Sequence, residues 1–197
     1  MIRDEQIATI IGAGALALLL GALGFQYLAH LPPCEMCHWQ RWPHIAAALI
    51  GLVGAHLWKG DKRIFTIPVI LLTPLLGASV AKQNDMAPYI ALVALVLAAF
   101  AALKGNMRHM VLVAVALLIV SGLVGAYQTA LQHGLVPLPP CSVAHPYVMG
   151  SGAAEPQVSC NAVTWSLFGL SLAAYNAIFS FVIAATGAFL LSRKHAA

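Results

Sequence analysis

Apolar residues fall along this chain in long stretches broken by short polar segments. The stretches run from Ile7 to Ala29, Trp42 to Trp58, Ile64 to Ala81, Tyr89 to Leu103, Met110 to Leu131 and Trp165 to Leu191. A bilayer core of about 30 Å needs about 20 helical residues. The first, fifth and sixth runs are long enough alone, and the other three are short. Period-two alternation of the membrane-barrel kind is absent, and an apolar run can satisfy its own backbone in lipid only as a helix. The pattern therefore predicts an all-α integral membrane protein of about six spans, a single membrane domain over residues 1–197. No polar stretch is long enough to enclose a soluble core. Glycines 12, 14, 21, 24, 51, 54, 122 and 125 recur within the runs, where small residues let membrane helices approach closely.

Composition agrees: 61% of residues are hydrophobic and 8% charged, against roughly 45–50% and 25% in an average soluble domain. With the N-terminus inside and six alternating spans, Arg3, Lys59, Lys62, Arg63, Lys104, Arg108, Arg193 and Lys194 fall on the cytoplasmic side, and only Arg41 and Lys82 outside. That bias follows the positive-inside rule. The net charge of +4 thus records topology and gives no sign of a nucleic-acid partner. The first run is too long for the apolar region of a secretory leader, and Asp4 and Glu5 stand beside Arg3, so it is expected to be a span.

All four cysteines lie in the two polar loops that this topology puts outside. Cys34 and Cys37 lie in the first loop, 30–41, and Cys141 and Cys160 in the second, 132–164. Disulfides persist in an oxidising periplasm and are rare in the cytosol. A purely structural staple is a poor use of two-residue spacing, since closing so short a loop gains little unfolded-state entropy. Zinc is disfavoured because the second pair lacks C-x-x-C spacing, although His30 and His38 flank the first. Cys37-His38 completes a formal C-x-x-C-H, but no soluble domain surrounds it to hold a haem. Exchanging disulfides suit the pattern best, and no metal site is expected.

Trp42 to Trp58 would be only about 26 Å long as a helix at roughly 1.5 Å per residue. Preceding residues could supply the missing turn, putting Cys37 near a helix N-terminus where the dipole favours a thiolate. Arg41, four residues on, would then share its face, lowering the thiol pKa and offering a hydrogen bond to an acceptor's carbonyl. Pro43 leaves an alternative open, a helix that begins at the proline with Cys37 in a loop. Arg41 could equally be an interfacial arginine snorkelling to phosphate groups. Trp39, Trp42 and Trp165 read as outer-interface belt residues. Leu135-Val136-Pro137-Leu138-Pro139-Pro140 ahead of Cys141 favours an extended strand that could dock on a partner protein. The Gly-, Ala-, Ser- and Pro-rich stretch from Ser142 to Ser159 reads as a spacer able to carry its cysteines to the first pair. No nucleotide fingerprint or flavin fold is present, so a lipid-soluble quinone is the acceptor that could reach a thiol at the interface.

Phe25-Gln26, the C-x-x-C, and Trp39-Gln40-Arg41-Trp42-Pro43-His44 resemble the first periplasmic loop of the DsbB family of disulfide-forming membrane proteins. Gly125-Ala126-Tyr127, Gly134, Ser159-Cys160-Asn161, Trp165-Ser166-Leu167-Phe168-Gly169-Leu170-Ser171 and Asn176 resemble its second loop and final helix. The resemblance implies a DsbB-like bundle of four core transmembrane helices in the bacterial inner membrane, with cytoplasmic termini and an inserted hairpin at 64–104. It implies a thiol:quinone oxidoreductase that reoxidises a periplasmic DsbA-like protein of thioredoxin fold and passes the electrons to ubiquinone or menaquinone. Cys141 would form the mixed disulfide with that partner and Cys160 would be its pair. Cys34 would take the electrons next, and Cys37 with Arg41 would face the quinone. Gln128 stands after Tyr127 where many relatives carry a histidine; it can hydrogen-bond a quinone carbonyl but cannot deliver a proton near neutral pH. The vitamin K epoxide reductase family uses similar parts in the opposite order. The alternative from a different class is a non-enzymatic, transporter-like multi-pass protein stapled by disulfides, yet transporters usually carry intramembrane charges that these spans almost lack.

Glu35 places a carboxylate between the two sulfurs of the first loop, which disfavours the thiolate and makes a disulfide there less oxidising. Glu35→Gln is expected to raise the reduction potential of the Cys34/Cys37 couple, measured by equilibration against glutathione. An unchanged or lower potential removes that role.

Overall fold

The computed structural model describes residues 3–57, 107–137 and 158–193. The hairpin expected at 64–104, Cys141 and most of the second loop lie outside these residues, and the count of six spans with them. Helix α1 is Asp4–Tyr27. Its Arg3 main-chain N–H donates to Gln6 Oε1 at 2.9 Å, and Asp4 and Glu5 in the first turn complement the positive end of the helix dipole. Helix α2, Glu35–Ala48, continues through a π-helical turn at Leu49–Val53 into the short helix α3, Gly54–Leu57. Residues 35–57 thus form one rod of roughly 33 Å at about 1.5 Å per residue. Helices α4, Met107–Gln132, and α5, Leu172–Arg193, are the remaining helices among the described residues.

Helices α1, α4 and α5 are each long and apolar enough to cross a membrane. Their inward faces meet around Ile7, Ile11, Met110, Val111, Leu118 and Ala184, with Ile50 from the π turn. Their outward faces are apolar too: Leu20, Leu123, Val182 and Phe189 are each more than half exposed. A helix that is apolar all round calls for an apolar surrounding, and the chain is a multi-pass helical membrane protein. Gly187 packs on Ile11 and Val115, and Gly125 on Ala173 and Ala177. These contacts set α1 and α4 antiparallel to α5, which brings Arg3, Arg108 and Arg193 to one end of the bundle and the cysteines to the other.

Two element starts differ from the hydrophobic pattern. The last helix begins at Leu172 instead of Trp165, because residues 166–171 fold into an antiparallel ribbon, β1 Ser166–Leu167 on β2 Leu170–Ser171. Phe168 (φ 49°) and Gly169 (φ 77°) both take the left-handed conformation that a two-residue hairpin turn requires. Ser171 Oγ then accepts the Ala174 N–H at 3.3 Å and so fixes the first turn of α5. Apart from this ribbon of two-residue strands the described residues form the all-α bundle expected. The open question over α2 is decided by its cap: Cys34 is the N-cap residue, its Sγ accepting the Cys37 N–H at 3.2 Å, and Pro43 is buried inside the helix.

Closest approach occurs where α1 crosses the π turn. A Cβ on Gly51 would fall 2.5 Å from Ala8 O and 2.6 Å from Gly12 Cα, whereas a Cβ on Gly21 or Gly24 would meet nothing within 4 Å among the described residues. Gly51→Ala is expected to destabilise the bundle by roughly 1–3 kcal/mol, read as a lower melting temperature in detergent. Gly24→Ala is expected to change it by less than about 0.5 kcal/mol. Equal melting temperatures for the two variants would refute the close crossing.

Candidate functional site

The site is built on the N-terminal turn of α2, in the polar stretch that precedes the apolar run beginning at Trp42. A helix start leaves four backbone N–H groups without partners inside the helix. Here two of them are met by sulfur: the Cys37 N–H by Cys34 Sγ, and the Met36 N–H by Cys160 Sγ at 3.5 Å. Cys160 comes from the second loop and is buried with Cys34, Met36 and Leu131, with Cys37, Val136 and Val158 packed around them. Of the three described cysteines, Cys34 and Cys160 are buried and Cys37 is half-buried. The tertiary structure has therefore joined one cysteine of the second loop to the pair in the first, while Cys141 lies outside the described residues.

The two sulfurs of the C-x-x-C differ in protonation. The Cys34 thiol hydrogen-bonds to Cys160 and Cys37, and with burial this pushes its pKa up. Cys37 accepts the hydrogen bond from Cys34, which lowers its pKa to about 6 against the opposing effect of burial; the Gln128 amide and the Arg41 charge act in the same lowering direction. Gln128 Nε2 donates to Cys34 Sγ at 3.1 Å and to Cys37 Sγ at 3.6 Å. Its Oε1 accepts from Gln40 Nε2 at 2.6 Å.

A cavity of about 320 Å³ opens beside these sulfurs, lined by residues that include Cys34, Cys37, Arg41 and Gln128. Phe25, Trp165, Tyr175 and Phe179 also line it, with successive ring centroids 4.8, 6.0 and 6.2 Å apart. Arg41 Nη1 donates to Gln26 Oε1 at 2.5 Å, which ties the guanidinium to α1. Its buried Nε has no partner among the described residues. An aromatic, mostly apolar chamber with one cationic donor unsatisfied and one low-pKa thiol in its wall suits a flat, uncharged molecule bearing carbonyl oxygens. No group of three or more side chains suited to hold a metal occurs among the described residues.

The sequence placed Cys34, Cys37, Arg41 and Gln128 in one site, and all four line one cavity. Gln128, expected to face the acceptor, also has its amide engaged by Gln40 and the sulfurs. The hydrophobic pattern missed the aromatic wall, although Tyr175 and Phe179 share an i, i+4 face, and it assigned Trp165 to the interface belt. It also gave no part to Gln40 and His44. Both are buried on one face of α2, and polar residues four apart in an apolar helix are the signal that marks them.

A helical membrane bundle that packs a second-loop cysteine on a C-x-x-C pair bordering an apolar chamber is the framework of a disulfide-related redox protein. A family model described as "Disulfide bond formation protein DsbB" matches residues 4–87 and 85–190, and the chain belongs to the DsbB family. It is 29% identical over 82 residues to the disulfide bond formation protein B of Burkholderia pseudomallei (strain 1106a), Burkholderia thailandensis and Burkholderia mallei. Those matches cover 42% of this chain and 48% of each relative, so the chain spans about half the length of the curated relatives it matches. No solved structure matches.

The depressed Cys37 pKa predicts a pH profile. In the fully reduced protein, Cys37 is expected to alkylate with a midpoint near pH 6, reactive above that value and losing reactivity as pH falls through it. A midpoint in the ordinary thiol range near 9 would sink the assignment.

Proposed function

We propose that this protein is a quinone-dependent thiol oxidase of the inner membrane that reoxidises a DsbA-like periplasmic dithiol protein. The observation that carries this reading is the meeting of Cys160 with Cys34 at the N-terminus of α2, next to a chamber whose wall holds Cys37 and Arg41. Bundle geometry supports the orientation, since Arg3, Arg108 and Arg193 gather at the end opposite the thiols, as cytoplasmic cations would.

Thiol exchange in this arrangement balances as follows. The partner's thiolate attacks Cys141, the Cys141–Cys160 bond breaks, and Cys160 leaves as a thiolate. Cys160 attacks Cys34, breaking the Cys34–Cys37 bond and releasing Cys37 as a thiolate in the chamber wall. A low-pKa thiol is a good leaving group, and Cys37 is the sulfur with the depressed pKa. The partner's second thiolate then attacks the mixed disulfide, leaving the partner oxidised and Cys141 as a thiolate. Cys141 attacks Cys160, restoring the Cys141–Cys160 disulfide and leaving Cys34 and Cys37 reduced. A bound quinone supplies a sink for the two electrons and two protons that this pair gives up when it becomes a disulfide again. Arg41, steadied by Gln26, would hold a quinone carbonyl through its guanidinium, and Phe25, Trp165 and Tyr175 would supply the apolar walls of the site.

Purified protein given ubiquinone or menaquinone and a reduced thioredoxin-fold donor is expected to form quinol, with Cys37→Ser reducing the rate to background. Membrane-impermeant maleimide should label the reduced thiols from outside intact cells. Absence of quinol with either quinone, or thiols reachable only from the cytoplasm, rejects the proposal.

A further inference from the structure

Three side-chain amides lead from the middle of the bundle to the sulfurs. Asn176 Nδ2 on α5 donates to Gln40 Oε1 at 2.7 Å, Gln40 Nε2 donates to Gln128 Oε1 at 2.6 Å, and Gln128 Nε2 donates to Cys34 and Cys37. An amide has nearly the same shape either way round, so packing does not decide which end faces a neighbour. At the sulfurs the difference matters: an N–H donor stabilises a thiolate, whereas an oxygen could only accept from a thiol and favour its protonated form.

The far end of the chain makes the choice. Asn176 Nδ2 lies 3.4 Å from the main-chain carbonyl oxygen of Ser121, a group that can only accept. It also lies 3.3 Å from Ser121 Oγ, whose own proton goes to the Gln40 carbonyl oxygen at 3.1 Å. Asn176 must therefore turn its nitrogen inward, and its other N–H falls to Gln40 Oε1. Gln40 then presents its nitrogen to Gln128, and Gln128 its nitrogen to the sulfurs. The turn that carries Gln40 is itself pinned, because His44 Nδ1 donates to the Gln40 carbonyl oxygen at 2.7 Å and His44 Nε2 lies 3.2 Å from Ser180 Oγ. Gln40 and Gln128 are buried, where hydrogen bonds in series polarise one another and an unpaired amide is costly.

We propose that Asn176, Gln40 and Gln128 form a polarity-setting chain that holds amide N–H groups on the Cys34/Cys37 sulfurs and so makes that pair ionise more readily. Gln128 touches the sulfurs; Asn176 and Gln40 are positioning residues that act through it. The proposal deepens the thiol-exchange reading and rests on it for its purpose. Among the described residues, the charged or titratable groups around the sulfurs are Glu35, His38, Arg41 and His44 on α2, Cys160, and Tyr175 on α5. Helices α1 and α4 contribute the neutral Gln26 and Gln128.

The test is the first ionisation of the Cys34/Cys37 pair in the reduced full-length protein, without quinone or donor. It is read from thiolate absorbance and from the pH dependence of Cys37 alkylation by mass spectrometry. Gln128→Met is expected to move the midpoint up by about one pH unit, and Asn176→Leu and Gln40→Met each by roughly half a unit. Asn176→Leu combined with Gln128→Met should match Gln128→Met alone, since a positioning residue has no effect once the group it positions is gone. Gln40→Met keeps the Gln40 carbonyl with its His44 and Ser121 contacts, so it decides the matter if Asn176→Leu does not fold. No shift in a folded Gln40→Met variant, or an Asn176→Leu shift that adds to that of Gln128→Met, overturns the chain. The titration needs no turnover, so these shifts in a protein that forms no quinol would reject the oxidase and keep the chain, while quinol formation without them would do the reverse.

Discussion

Polar groups carried into a lipid-facing bundle must find partners inside it, and at the cysteine end of this protein that demand fixes the arrangement of everything else. Residues 35–57 bring Gln40 and His44 below two sulfurs. Helices α4 and α5 answer with Gln128, Ser121, Asn176 and Ser180. Sliding α2 by one turn, about 5.4 Å, would break every one of these bonds at once, at a cost that apolar packing alone would not impose. The register that satisfies the amides is the register that sets Cys34 and Cys37 beneath Gln128 and brings Cys160 against Met36.

Sulfur takes an unusual structural part in this arrangement. Cys34 caps α2 in the place where serine, threonine or aspartate commonly stand, and Cys160 receives the neighbouring Met36 N–H. Neither a serine-like cap nor a simple disulfide staple would leave Cys34 protonated and Cys37 ready to ionise within one turn of helix. The asymmetry arises because the Cys34 thiol donates to Cys160 and Cys37, which keeps Cys34 protonated and eases ionisation of Cys37, with the Arg41 charge one turn on acting in the same direction. A chamber with aromatic walls then borders the more acidic sulfur, and its guanidinium is held at the rim by Gln26.

The DsbB-family matches lie on this framework, and of the residues singled out in the sequence Cys34, Cys37, Arg41 and Gln128 line one cavity. Gln128 illustrates how a residue's role depends on context. Read by its position next to Tyr127, it is a candidate for the acceptor; in three dimensions, its amide belongs to the sulfurs and to Gln40.

The membrane environment, the helical class and the thiol chemistry were legible in the chain alone, because runs of apolar residues admit one satisfied backbone in lipid and C-x-x-C spacing suits exchange better than stapling. Arg41 was legible as well, since four residues on a helix define a shared face. Three features were not. The start of α2 is not fixed by the sequence because Pro43 tolerates two local solutions; the Cys34 cap, supported by Gln128 and Cys160 from elsewhere in the chain, selects the longer helix. The ribbon at 166–171 was hidden because Trp165, Leu167, Phe168 and Leu170 continue the apolar run, and only the left-handed turn and the Ser171 cap interrupt it. The meeting of Cys160 with Cys34, and the chain of amides that supports it, joins residues up to 136 positions apart. Such pairings depend on how the helices pack, and hydropathy carries no information about them.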